Sequence, residues 1–218
     1  DLSHRMSVAG VNVLGHFSYP SGLRISVHVL CDALAHADIK LSKRDIRTSQ
    51  KDFFGRERYL ELVQFDISIV HVQPEPLFDR LRENCDLRTP VPHPYTIACW
   101  YWELSKAPMA WGKIAESVDE VWVATDFIAH SLSGIVNVPV VKIFPGVELR
   151  KYSPRSRAHF GIDEDSFVFL FVFSFSSVME RKNPLGLIRA FKQAFREDEA
   201  VQLVIKTSSP QGYQDDMF

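Results

Sequence analysis

Between Phe167 and Phe195 the chain reads FVFLFVFSFSSVMERKNPLGLIRAFKQAF. Val168 to Phe173 is an unbroken apolar run, too short to span a membrane and rich in the aromatic and β-branched residues that suit a strand buried on both faces. It predicts the central strand of an α/β layer. After a Ser-containing loop, Asn183 can cap a helix and Pro184 can take its first position, where a missing N–H does no harm. Leu187, Ile188, Phe191, Ala194 and Phe195 follow at helical spacing, giving an apolar face able to lie on the strand. Arg181 and Lys182 stand just before the cap, at the positive end of that helix dipole, where acidic residues would be the comfortable choice. Either an anion such as a phosphate lies between them, or both side chains extend into water.

The rest of the chain fits a soluble α/β protein. Its 218 residues are 46% hydrophobic, enough for one large domain or two modest ones, and a formal charge of -2 gives no general attraction to nucleic acid. Cys31, Cys85 and Cys99 are odd in number, widely spaced and without a CxxC. Neither a disulfide framework nor a zinc site is implied, and a reducing cytoplasm fits. No transmembrane stretch or signal peptide is read, and a first residue other than Met is consistent with a trimmed start.

Taken in order, Val8 to Leu14 predicts a strand and the segment from Gly15 to Gly22 a loop. A helix of about three turns follows, on Ile25, Val29, Cys31, Ala33, Leu34 and Ala37. Ser21 and Gly22 sit at that helix start, either as a ligand-approaching loop or as an ordinary turn. Residues 40–62 are charged and weakly patterned: a loop or edge strand, then a short helix. Asp66 to Val72 is a further strand. Gln73 and Glu75 beyond it are candidate site residues, because ligands of open parallel sheets lie past the carboxyl ends of the strands, while His71 is expected in packing. The strand at Tyr95 ends in Trp100, Tyr101, Trp102 and Glu103. These are rings and a carboxylate suited to a sugar, or else core filler and a helix cap. A helix with Met109, Ile114 and Ala115 follows, then a strand over 120–124, a helix capped by Thr125 or Asp126, and a strand over 138–144. The polar segment 151–157 predicts the boundary between a domain over 1–150 and a second over 151–218. In the second, a strand over 201–206 brings the total to two strands and little more than one helix. That is too little to close a core, so a missing C-terminal part is expected.

At this level of detail the chain resembles the retaining glycosyltransferases of family 4. The likeness is carried by SGL at 21–23, DISIVHVQPEP at 66–76, CWYWELSKAPMAW at 99–111, DEVWVATDFIAHSL at 119–132, VKIFPGVE at 141–148 and VMERKNP at 178–184. The last block is the most specific. The resemblance implies two Rossmann-like domains facing across a cleft (the GT-B architecture), the second incomplete in this chain. It implies transfer of a sugar, with retention, from a nucleotide-sugar co-substrate to a saccharide or lipid-linked acceptor, as in bacterial polysaccharide biosynthesis, with no cofactor and no metal. The enzyme would be cytoplasmic, with peripheral association at the inner face of the membrane, and this fragment alone inactive. Lys182 and Arg181 would be catalytic, stabilising charge on the departing diphosphate. Ser21, Gly22, Arg181, Lys182 and Asn183 would bind the donor, and Gln73, Glu75, Trp102 and Glu103 the acceptor.

Three positions depart from that pattern. Arg24 stands where many relatives have a second glycine. Gln73 stands where many have a His, and an amide cannot titrate. Ser177 falls near an Arg of the family, leaving Arg181 as its substitute. The paired glutamates that relatives carry later are not reached. Two other readings follow from the same residues: a non-catalytic module that keeps the fold, and a sugar-nucleotide epimerase, which Gln73 disfavours.

Overall fold

The computed structural model describes residues 10–18, 21–46, 65–74, 95–147, 152–175 and 177–208. The chain divides into two compact units, Asp1–Leu149 and Arg150–Phe218. Each is taken by itself.

The first unit is built on a six-stranded parallel sheet. Its strands are β1 (Gly10–Gly15), β2 (Lys40–Asp45), β3 (Ile67–His71), β4 (Tyr95–Trp100), β5 (Glu120–Val123) and β6 (Val140–Lys142), in the spatial order β2-β1-β3-β4-β5-β6. Helices α1 (Gly22–His36), α2 (Ala110–Ala115) and α3 (Asp126–Leu132) flank it. This is an α/β unit with the sheet of a Rossmann-like domain.

Side-chain alternation along the strands explains the layering. Val13, Ile69, Ile97 and Cys99 point to one face, where Val27 and Cys31 of α1 complete a core. Leu14, Val70, Ala98, Trp100, Val121 and Val123 point to the other, and pack with Trp111 and Ala115 of α2 and Ile128 and Leu132 of α3. Both faces are dry, so the strands read in sequence as near-continuous apolar runs. The polar exception in β1 is satisfied. Asn12 is fully buried, donates to the carbonyls of Phe65 and Ile67 and to Ser68 Oγ, and accepts from the Phe65 N–H. Its amide therefore pins β1 to the start of β3.

Several expected boundaries shift. The charged stretch from Lys40 begins with edge strand β2; residues 47–62 of it lie outside the described residues. α1 runs 15 residues, and its core contacts are Val27 and Cys31, whereas Ile25 is exposed. The strand expected over 138–144 is shorter, Val140–Lys142, with backbone hydrogen bonds to β5 reaching Pro139 and Ile143 on either side. Met109 precedes α2 and is exposed.

The second unit pairs β7 (Phe167–Ser174) with β8 (Val201–Ser208) in parallel. Between them lie a single helical turn, α4 (Met179–Lys182), and α5 (Pro184–Ala194). Phe191 and Phe195 set their rings 5.8 and 5.4 Å from Phe169, which lays α5 on one face of β7. The expectation of a strand buried on both faces fails. Leu170 and Val172 are 65 and 58% exposed, because one helix covers one face and they alternate to the other, and Phe167, at the start of the strand on the helix side, is 64% exposed. Among the described residues of both units, no helix is long and apolar enough to cross a membrane.

Candidate functional site

The order of the six strands reverses between β1 and β3: from β1 the chain moves outward to β2, then returns to β3 on the opposite side. At such a point the two loops leaving the carboxyl ends of neighbouring strands diverge and open a crevice. The residues there are His16 to Ser18 with Ser21 and Gly22 after β1, and Val72 and Gln73 after β3.

The β1–α1 loop is tied down by its own polar groups. Asp45, at the end of β2, accepts from the backbone N–H of Phe17 and Ser18 and from the Ser18 hydroxyl. Arg24 donates through Nε to the Phe17 carbonyl at 2.8 Å, so this cation braces the loop. Ser21 caps α1, its hydroxyl accepting from the Arg24 N–H at 3.2 Å. Gly22 is the first helical residue, and a Cβ there would meet nothing within 4 Å among the described residues. The first turn carries no acidic residue, and the N–H groups of Gly22 and Leu23 have no acceptor within the helix by virtue of their position.

Below this loop a chain of hydroxyl and imidazole groups crosses from α1 to the sheet. Ser26 Oγ lies 2.9 Å from His71 Nε2 and 2.6 Å from Tyr101 Oη. Alternation explains the meeting: His71 continues the face of Ile69, and Tyr101 that of Cys99, both toward α1. His71 is buried, as expected, and burial pushes its pKa down to about 4, with its own backbone opposing and nearby His16 adding to the shift. Burial also raises Tyr101, against the Ser26 hydrogen bond, and pushes the Cys99 thiol up to about 12. The three side chains border a cavity of about 100 Å³ whose other walls come from α1, β5 and residues 143–146. Ser26 went unmarked in the sequence, yet its spacing to Leu30 and Ala33 puts it on one helix stripe with two other wall residues.

The acceptor candidates separate. Gln73 donates its amide N–H to the Tyr101 carbonyl at 2.7 Å and accepts from the Tyr101 N–H at 3.3 Å, extending the β3–β4 pairing beyond the strands. Trp100 is fully buried in the core. Trp102 packs its ring 4.9 Å from Trp111 and donates its indole N–H to the Lys106 carbonyl. Trp100 also packs on Trp111, at 5.5 Å, so the two tryptophans share one face while Tyr101 turns to Ser26, and the three rings form no common platform. Glu103 is exposed and is not the cap of α2, a place held by Met109. Glu75 lies outside the described residues.

In the second unit Asn183 adopts the left-handed conformation (φ 51°, ψ 46°), ending α4 and capping α5 through Oδ1, which accepts from the Gly186 N–H. Arg181 and Lys182 therefore occupy the last turn of α4, a helix end that favours cations. They also stand directly before the Asn183 cap of α5, as expected. Arg181 donates to Ser177 Oγ at 3.0 Å. Lys182 is half-buried, and its ammonium meets no carboxylate among the described residues. No family model matches the chain, and no curated protein matches it.

Proposed function

We propose that this chain belongs to a retaining glycosyltransferase that moves a sugar from a nucleotide-sugar donor to a saccharide or lipid-linked acceptor. In this reading the first unit receives the acceptor and the donor is held mainly by the second, with Ser21 and Gly22 contributing to its phosphates or sugar. The observation that carries it is the strand-order reversal between β1 and β3, with the uncovered start of α1 at Gly22 beside it. An open parallel sheet offers a phosphate-bearing ligand a place there, and a glycine without steric neighbours among the described residues would let an anion reach the backbone N–H groups. Lys182, half-buried and with no carboxylate partner among the described residues, would take the donor diphosphate. Its charge would stabilise the leaving group as the glycosidic bond breaks. Ser21 and Asn183 would contribute as caps whose neighbouring N–H groups face the phosphates, and Arg181 would support Lys182. The architecture is proposed to be GT-B, the setting cytoplasmic with peripheral membrane association.

A second reading, a non-catalytic module of the same fold, draws on Gln73, whose amide is engaged with backbone at both ends. Calorimetric titration of the intact polypeptide that carries this sequence with UDP, GDP and ADP sugars separates the two. Saturable binding of one nucleotide class, weakened roughly 10-fold or more by Lys182→Ala, is expected from loss of a charged hydrogen bond. Silence across the panel, or an unchanged affinity in the variant, would remove the donor assignment.

A further inference from the structure

The cavity beside Ser26, His71 and Tyr101 has a chemistry that the sugar-transfer reading does not use. Its walls are otherwise apolar, chiefly Val29, Leu30, Trp122 and Ile143, and none of the described residues that line it is an Asp, Glu, Lys or Arg. The two lining groups able to ionise near neutrality are both held uncharged by burial, His71 at about 4 and the Cys99 thiol at about 12. A charged ligand would give up hydration there with no countercharge among the described wall residues to meet it. An uncharged one needs none.

The direction of hydrogen bonding in the wall then selects the ligand's polar atom. His71 Nδ1 is buried, and among the described residues it makes no hydrogen bond, the pull of its own backbone on the ring falling short of one. An orphaned buried N–H is rarer than an orphaned acceptor, so the neutral ring is assigned its proton on Nε2. Nε2–H then donates to Ser26 Oγ, the Ser26 hydroxyl donates to Tyr101 Oη, and the Tyr101 hydroxyl is left as a donor. Tyr101 is half-buried at the cavity wall. A cavity of about 100 Å³ is of the order that holds a single small ring.

We infer that this cavity is a binding site for a small uncharged apolar group, such as a five- or six-membered ring, bearing one oxygen that accepts a hydrogen bond from Tyr101. It lies wholly within the first unit and stands independently of the donor assignment. No nucleotide enters its test, so the two succeed or fail separately.

The probe is cyclohexanone, with cyclohexane as its counterpart lacking the oxygen, titrated into the whole chain while the indole N–H resonance of Trp122 is followed by NMR. Saturable shifts with cyclohexanone are expected. Tyr101→Phe should weaken cyclohexanone five- to tenfold and leave cyclohexane unchanged, the signature of one lost neutral hydrogen bond. Ala33→Phe, placed on an exposed helix position at the cavity wall, should abolish binding of both without unfolding the protein. No saturable shift at Trp122 in the wild-type chain would overturn the site. Equal cyclohexanone affinity in wild type and Tyr101→Phe, or undiminished binding in Ala33→Phe, would overturn it as well.

Discussion

His71 shows how one residue carries both packing and chemistry. Its ring is buried against α1 and its pKa falls from 6.5 to about 4, chiefly because burial disfavours the imidazolium. As pH drops, the unfolded chain takes up this proton before the folded one. The contribution is therefore fully present above about pH 6.5 and is lost between there and about pH 4. At about 1.4 kcal/mol per unit, it amounts to roughly 3 kcal/mol. Urea unfolding of wild type and His71→Gln at pH 7 and pH 4.5 checks this: the stability gap should narrow by 2 to 3 kcal/mol on acidification. A gap independent of pH would mean that some other group governs the acid limb. The burial of His71 was legible from its place at the end of an apolar run. Its partnership with Ser26 and Tyr101 was not, since the three are separated by 45 and 75 residues in sequence.

At the scale of elements, caps and close approaches decide where helices begin and how near they lie. The Asn183-Pro184 pair foretold the start of α5, because an amide acceptor followed by a residue lacking N–H is a local signal. That Asn183 would be left-handed was hidden, since it depends on the extra turn of α4 before it. Asn183→Ala should cost about 1 to 2 kcal/mol, through the lost cap and the strained backbone. Asn183→Gly should recover part of that, and hydrogen exchange of the α5 amides reads both. Gly15, at the end of β1, has a different reason to be glycine. A Cβ there would lie 2.8 Å from Val27 Cγ2, on a stiff, fully buried side chain, and 3.5 Å from His71 Cβ. Gly15→Ala should destabilise by about 1 to 3 kcal/mol, as overpacking does. Denaturant unfolding should show partial recovery in Gly15→Ala combined with Val27→Ala, since the two sites touch.

The two units differ sharply as molecules. Both extended cores fall within residues 1–149, divided between the two faces of one sheet. Among the described residues of the second unit, Phe173 is the one hydrophobic strand residue that is buried. Expressed separately, residues 1–149 should unfold cooperatively in a calorimeter. Residues 150–218 should give no such transition, because two strands and α5 leave Phe167, Leu170 and Val172 largely in water. A cooperative transition in the shorter piece would show that its apolar faces are satisfied by contacts among its own residues.

Local sequence settled the kinds of elements and most of their places. Apolar runs of strand length, a proline behind an asparagine and a threonine before an acidic turn act over a few residues, and a few residues suffice to read them. Strand order, the crevice at the β1–β3 reversal, the bracing of a loop by Arg24 and Asp45, and the cavity under Ser26 arose only when distant segments met. Gln73 marks the dividing line: its position past a strand end was readable, but what its amide grips was fixed by the neighbouring strand, which delivers Tyr101 backbone groups within 2.7 and 3.3 Å of it. Periodicity determines which way a side chain faces, whereas its partner is chosen by whatever the folded chain sets opposite.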